Sequence, residues 1–308
     1  MIDYKLFVEN SRKWLEDYIS SNRLQSLVLG ISGGLDSCIS ACLASSVCKK
    51  LGIPLIGRCL ITNTNKNEEI EAARQIGNAF CSDFKELNIT YDTELIAEHF
   101  EISDGEMSKL QKGNIKARYR MIYLYHIASL NKGVVIDNDN FTEYNLGFYT
   151  QHGDQGDINL GLHYLWKTEI YELAEYLKEY YCNGYIDSKN NPDDEIEVTE
   201  DRFNKYEAIR DSINLTPTDG NGVSKSDCDQ FGLENYEQVD DVLKTMYYRT
   251  DWDALMEEDK EIQNEEYTRL INSYNEQGVD KVMTLHQNTA YKRQELPIKP
   301  NKEILGLA

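Results

Sequence analysis

Gly30-Ile31-Ser32-Gly33-Gly34-Leu35-Asp36-Ser37 is the stretch whose residue types and spacing carry the most chemistry. Adjacent glycines let backbone N–H groups converge on an anion with no Cβ in the way. The Ser32 and Ser37 hydroxyls can donate to phosphate oxygens, and a helix beginning here would add partial positive charge. The stretch is neither the lysine-bearing G-x-x-x-x-G-K-[ST] loop nor the G-x-G-x-x-G of dinucleotide folds. Where a lysine would stand there is Asp36. A carboxylate repels phosphates unless a cation lies between them, so Mg²⁺ shared by Asp36 and phosphate oxygens is the simplest resolution. The plain alternative is a tight turn at Gly33-Gly34 followed by a helix N-cap at Asp36-Ser37.

The surrounding elements must place this loop. Ser26 to Ile31 is a short continuous apolar run that fits a buried parallel strand. Pro54 to Gly57, Leu87 to Thr90 and Gly133 to Asp137 read as further strands. Helical periodicity marks residues 4–20, Cys38 to Leu51, Glu68 to Phe80, Asn114 to Leu130, Lys167 to Tyr181, Tyr236 to Tyr247 and Ile262 to Glu276. Strands alternating with helices predict an α/β fold: a doubly wound parallel sheet with helices on both faces, followed by a helical C-terminal part. Residues 182–204, with Asp187 to Glu195 polar and acidic, break the rhythm and read as an acidic surface insertion. Leu296 to Pro300 reads as a stiff extended tail.

Composition narrows the partners. The 308 residues carry 53 Asp and Glu against 32 Lys and Arg, a formal charge of −21. Such a chain is ill suited to nonspecific binding of nucleic acid or anionic lipid. A polyanionic substrate would need local cations, as at Lys116 to Arg120 and Lys292-Arg293. No apolar run approaches a membrane span, and the N-terminus lacks the pattern of a secretory signal. Seven dispersed cysteines without a C-x-x-C pair favour a reducing cytoplasm over a disulfide framework or structural zinc. Cys38 and Cys42, four apart on a helix, read as core residues, and His126 and His152 as structural ones. The length suits two domains or one large one; the reading adopted is a single domain over 1–308.

S-G-G-x-D-S after a first strand resembles the pyrophosphate loop of the ATP pyrophosphatase (adenine nucleotide alpha-hydrolase-like) superfamily. Four further stretches narrow the resemblance to NAD synthetases: Asn114 to Met121, Thr142 to Thr150, Gly153-Asp154-Gln155-Gly156 and Leu165-Trp166-Lys167-Thr168. Tyr291-Lys292-Arg293 is similar to that family's His-Lys-Arg. The resemblance implies conversion of deamido-NAD, ATP and ammonia to NAD, AMP and pyrophosphate through an adenylated carboxylate. It also implies a homodimer acting on small molecules. With no room for a glutaminase domain, free ammonia is the implied nitrogen donor.

Carried over by position, the resemblance gives ATP the loop residues Gly30, Ile31, Ser32, Gly33, Gly34, Leu35, Asp36 and Ser37, with Arg58, Asn138, Lys167 and Thr218. It gives Mg²⁺ the carboxylates of Asp36 and Glu143, and assigns catalysis to Asp36, Glu143 and Lys167. It gives deamido-NAD the positions Arg118, Gln151, Asp157, Ile158, Tyr291 and Lys292. Helical geometry puts Arg118 and Met121 on one face and turns Arg120 elsewhere. The chain departs from the family at Asp137-Asn138, where Gly-Thr is common, and at Gln151, Ile158 and Tyr291. ATP-side positions are therefore better kept than dinucleotide-side ones. Another AMP-forming amidating or thiolating ligase, or a non-catalytic nucleotide-binding relative, are the alternative readings.

Overall fold

The computed structural model describes residues 2–102, 105–190, 200–218, 226–249, 259–294 and 302–307. Its centre is a five-stranded, wholly parallel sheet: β1 (Ser26–Gly30), β2 (Leu55–Ile61), β3 (Asp83–Asn88), β4 (Gly133–Asp137) and β5 (Ile158–Asn159), in the order β3-β2-β1-β4-β5. The chain winds outward from β1 first through β2 and β3, then returns to pair β4 on the other side. The strand order thus reverses between β1 and β4, and the crevice beyond their carboxyl ends is where an open α/β sheet binds ligands.

Alternation along β1 explains the layers. Leu27 and Leu29 face a core shared with α1 (Tyr4–Asn22), α2 (Leu35–Leu51), α3 (Asn67–Phe80), α7 (Lys167–Asn190) and α8 (Glu200–Asn214). Val28 faces the opposite core, where Met121, Leu124 and Ala128 of α5 (Glu106–Leu130) lie against Val135 and Ile56. A strand covered on both faces must be apolar throughout, which is why β1 shows no polar alternation. The expected α/β class and doubly wound sheet are therefore present.

The helical C-terminal part forms a third core. Phe231 of α9 (Asp227–Phe231), Val239 and Leu243 of α10 (Tyr236–Lys244), Leu270 of α11 (Asp259–Ser273) and Val279 and Val282 of α12 (Glu276–Asn288) close around Trp166 and Phe141. Phe141 belongs to α6 (Phe141–Leu146), a short helix whose following residue, Gly147, is left-handed.

Several expected boundaries move. The strand placed at Leu87 to Thr90 is Asp83–Asn88, and Thr90–His99 is helix α4. Thr93 donates to the Ile89 and Thr90 carbonyls, which helps the chain leave the sheet there. The stretch 182–204 is not a simple break: α7 runs to Asn190 and α8 starts at Glu200, while residues 191–199 lie outside the described residues. The helix expected over Ile262 to Glu276 ends at Ser273, and α12 starts afresh with an Asn275 cap on the Gln277 N–H. The expected extended tail at 296–300 also lies outside the described residues.

Gly278 shows how close the C-terminal packing is. A Cβ there would stand 2.3 Å from the Gly232 carbonyl oxygen, and backbone has no rotamer with which to yield. Gly278→Ala would gain about 1 kcal/mol of helix propensity. Overpacking costs typically 1–3 kcal/mol and more where backbone must move. The expected outcome is a net loss of about 1–2 kcal/mol, read as a lower denaturation midpoint at unchanged denaturant slope.

Candidate active site

The loop after β1 does not cap its helix with Asp36 or Ser37. The cap of α2 is Gly34, with no side-chain hydrogen bond to the helix, so Asp36 and Ser37 are not its N-cap. Ser37 Oγ donates to the Gly34 carbonyl, and Ser32 Oγ accepts from the Gly34 N–H and donates to Ser37 Oγ. Gly33 has φ +92°, and a Cβ on it would lie 2.3 Å from the Glu69 carbonyl oxygen. Only glycine allows the loop to lie this close to the first turn of α3.

Asp36 therefore points into the crevice, where the chain supplies a cation. Its Oδ2 contacts the Lys167 ammonium, and its Oδ1 accepts from Asn140 Nδ2 at 2.9 Å. The same ammonium lies 3.9 Å from Glu143 Oε1 and 5.5 Å above the Tyr236 ring. Asn140 and Glu143 form a reciprocal cap on α6, Asn140 N–H to Glu143 Oε2 at 3.1 Å and Glu143 N–H to Asn140 Oδ1 at 3.0 Å. That cap fixes Glu143 while Asn140 also holds Asp36.

Lys167 is buried, and three segments aim it. Its N–H donates to Thr142 Oγ1 at 2.8 Å, and Thr142 in turn donates to the buried Asp240. Asp240 also accepts from the Thr168 N–H at 2.9 Å, while Glu169 reaches back to the Trp166 N–H. The start of α7 is thus capped by α6 and α10, and its first residue is driven between two carboxylates.

Electrostatics follow from this crowding. Burial and then Asp36 push the Glu143 carboxyl up to about 8, against the opposing pull of Lys167. Burial lowers the Lys167 ammonium, but Asp36 and Glu143 together raise it above the usual lysine range. Burial, Asp137 and Glu143 raise the Asp139 carboxyl. Two carboxylates converging on one cation are the oxygen donor set of a hard divalent ion, so Asp36 and Glu143 fit Mg²⁺.

A cavity of about 610 Å³ opens over this cluster. The loop residues except Gly33, together with Arg58, Asn138, Glu143, Lys167, Thr218, Arg118, Gln151, Tyr291 and Lys292, all line it. Asn138 Nδ2 donates to the Gly30 carbonyl across the β1–β4 split at 3.3 Å. Thr218 donates to Glu69 at 2.6 Å, and Glu69 also accepts from the Lys66 N–H at the start of α3. Arg58 lies in the wall with its guanidinium turned to Asp83 and to the Gly57 and Asp83 carbonyls. Lys292 donates to the Gly147 and Tyr149 carbonyls, and Arg118 to the Gln151 carbonyl.

Two expected substrate positions fall elsewhere. Ile158 is fully buried in β5, paired with Ile136, and is a core residue. Asp157 accepts from the Val135 N–H at 2.8 Å and from Tyr125 at 3.1 Å, closing the sheet edge outside the cavity. In a strand, successive side chains alternate faces, so a register assigned without a gap is lost wherever a turn is longer than expected. Arg120, expected to turn away, lines the cavity beside Arg118 and donates to the Leu60 carbonyl. His126 and His152 are exposed and lie outside the cavity lining, whereas Cys38 and Cys42 are core residues. Glu69 and Asp139, given no role from the sequence, also line the cavity, as does Asp154 of the Gly153-Asp154-Gln155-Gly156 stretch. The acidic run Asp137-Asn138-Asp139-Asn140 at a strand end was the available signal for Asp139.

A pH dependence follows from Glu143. Its folded pKa, near 8, exceeds the usual value of 4.5. Its neutral form therefore favours the fold fully below about 4.5, and this contribution is lost as pH rises through about 8. Glu143→Gln, which stays neutral, should match the parent's stability near pH 4.5 and exceed it at pH 9. Denaturant midpoints in the presence of a chelator measure both.

The chain is matched by the NAD synthase family model over residues 7–296. It is 31% identical over 272 residues to an NH(3)-dependent NAD(+) synthetase from Finegoldia magna, covering 87% of this chain and 95% of that one. An NH(3)-dependent NAD(+) synthetase from Thermoplasma volcanium is 27% identical over 80% of this chain and 86% of its own length. In fold, the chain is similar to an NMN synthetase from Francisella tularensis, at TM-score 0.66 and 22% identity over 98% of this chain and all of that one. An NH3-dependent NAD synthetase from Campylobacter jejuni gives 0.62 and 20% over 96% of this chain and 99% of that one. The acid-bearing glycine loop at the β1–β4 switch point and the match along nearly the whole chain place it in one group: the chain belongs to the NAD synthase family.

Proposed function

We propose that this chain is an AMP-forming ligase that amidates deamido-NAD with free ammonia to give NAD, AMP and pyrophosphate. The observation that carries the proposal is the meeting of Asp36, Glu143 and the buried Lys167 ammonium at the carboxyl ends of β1 and β4. Family membership supplies the reaction class.

The chemistry needs two displacements. A nicotinate carboxylate oxygen attacks the α-phosphorus of ATP and pyrophosphate leaves. Ammonia then attacks the acyl carbon, loses a proton, and AMP leaves. Mg²⁺, when bound by Asp36 and Glu143, would neutralise the charge of the ATP phosphates. The chain's own groups position the reactants and counter developing charge. The Gly30 to Ser37 loop and the α2 N-terminus present N–H groups to phosphate oxygens. Asn138 and Thr218 bound the nucleotide, and Arg58 stiffens the wall behind it. Lys167, at the centre, opposes charge on the bridging and leaving oxygens and is the chain's principal catalytic group beside Asp36 and Glu143. Arg118, Gln151, Tyr291 and Lys292 bound the mouth where deamido-NAD enters. Asp157 and Ile158 are not among these contacts.

We also propose a homodimer. Ile122, Tyr125 and Leu130 are exposed on one face of α5, at i, i+3 and i+8, and Tyr91 on the adjoining α4 and Phe100 just after it are exposed too. Such a stripe of large apolar groups on one face is costly unless another surface covers it. All seven cysteines are free thiols, which suits a reducing cytoplasm. No helix of the described residues is long and apolar enough to cross a membrane.

Mixing the protein with ATP, Mg²⁺, ammonium and deamido-NAD should yield NAD and AMP in equal amounts. Asp36→Ala should lower kcat at least about 100-fold, the scale of a lost charge-stabilising group. Release of ADP in place of AMP would overturn the ligase reading, and preference for nicotinate mononucleotide would move the acceptor. For assembly, Ile122→Glu with Leu130→Glu should shift a two-chain mass by light scattering to a one-chain mass with the helical signal retained.

A further inference from the structure

Three buried side chains behind the phosphate loop have no role in the reaction above. Asp137 ends β4, Asp139 follows two residues later, and His163 sits in the turn Leu162–Tyr164 after β5. Their exposures are 0%, 8% and 1%. One ligand atom from each lies within 4.8 Å of the other two. His163 Nε2 stands 2.9 Å from Asp137 Oδ2, yet neither ring nitrogen of His163 has a hydrogen bond, and neither has Oδ2 of Asp139. Buried polar atoms are nearly always partnered, so this cluster calls for a missing partner.

The surroundings are built to aim these groups. Asn159, itself fully buried, donates to Asp137 Oδ2 at 2.7 Å and to the Asp139 carbonyl at 3.0 Å. Its Oδ1 accepts from the His163 N–H at 3.1 Å and the Gly161 N–H at 2.9 Å. The Gly156 N–H fixes the other Asp137 oxygen at 3.1 Å. One amide thus orients all three residues, as outer partners do around a metal. Asp139 lines the large cavity, which gives a way in.

We propose that Asp137, Asp139 and His163 form a second cation site, selective for a divalent transition ion of the zinc and manganese class. Ligand atoms about 2.1 Å from such an ion stand roughly 3 Å from each other, and the Asp137–His163 pair already has that spacing. An imidazole nitrogen with two carboxylates suits borderline ions, whereas Mg²⁺ prefers an all-oxygen set. The site is thereby distinct from the Asp36–Glu143 pair and does not depend on the reaction assigned to it. Its ion would tie the β4–α6 turn to the turn before α7, the two segments that deliver Glu143 and Lys167.

The test uses the whole chain carrying Asp36→Asn and Glu143→Gln, stripped by chelator and titrated with Zn²⁺ against a chromophoric competitor. One bound equivalent is expected, weakened at least tenfold by adding His163→Gln. Pulsed electron paramagnetic resonance of Mn²⁺ on the unsubstituted protein should show imidazole nitrogen coupling that His163→Gln removes. Should His163→Gln fail to fold, Asp139→Asn takes its place, with the same tenfold weakening expected. Absence of the bound equivalent, affinity indifferent to both substitutions, or nitrogen coupling that persists without His163 would each overturn the proposal.

Discussion

The structure depends on one buried ammonium. Lys167 lies between Asp36 and Glu143, and these residues come from three separate places: the start of α2, α6 and the start of α7. An unpaired charge in such a place would cost several kcal/mol, so the Lys167 ammonium and the Asp36 carboxylate need each other, with Glu143 beside them. The three therefore hold one another, and through Asn140, Thr142 and Asp240 they hold the sheet to the C-terminal helices. The same grouping leaves two carboxyl groups and one ammonium lining the cavity.

The acidity of the chain sharpens this point. With a net charge of −21, the protein's overall field repels a triphosphate. Within the cavity, Arg118, Arg120, Lys167 and Lys292 oppose that field, but Asp36, Glu69, Asp139 and Glu143 stand among them. Several of the cations are already engaged: Lys292 by two carbonyls, Arg58 by Asp83. A polyanion entering such mixed charge fares better when it carries counter-charge, which is why the proposed function pairs the nucleotide with Mg²⁺.

The C-terminal helices act as more than an appendage. Asp240 from α10 caps α7 at Thr168, and Tyr236 from the same helix places its ring beneath the Lys167 ammonium. Lys292 and Arg293, beyond α12, donate to carbonyls of the segment 145–149. The floor of the crevice comes from the sheet, but its far wall takes in chain from well downstream, as far as Lys292, 145 residues beyond Gly147.

Much of this was legible in the sequence. The continuous apolar run of β1 and the glycines that follow pointed to an α/β sheet with a crevice beyond β1, and the misplaced-looking Asp36 called for a cation, which the fold supplies as Lys167. Those signals are local, and each has one cheap physical solution. Glu143 and Lys167 were recognisable by resemblance, and the cavity brings both to Asp36. What the sequence left open were facts of register and of contact across long separations. Ile158 faces the core and Asp157 closes the sheet edge because turn length, invisible to an ungapped reading, sets which face a residue takes. Arg120 lines the cavity because a long side chain on a helix reaches around its own face to the Leu60 carbonyl. The Asp137, Asp139 and His163 cluster joins residues from either side of β5, and only the return of the chain through that strand puts an imidazole beside two carboxylates. Residue type fixed which chemistry was available; tertiary packing decided which groups were buried together, because desolvation acts on neighbours in space and not in sequence.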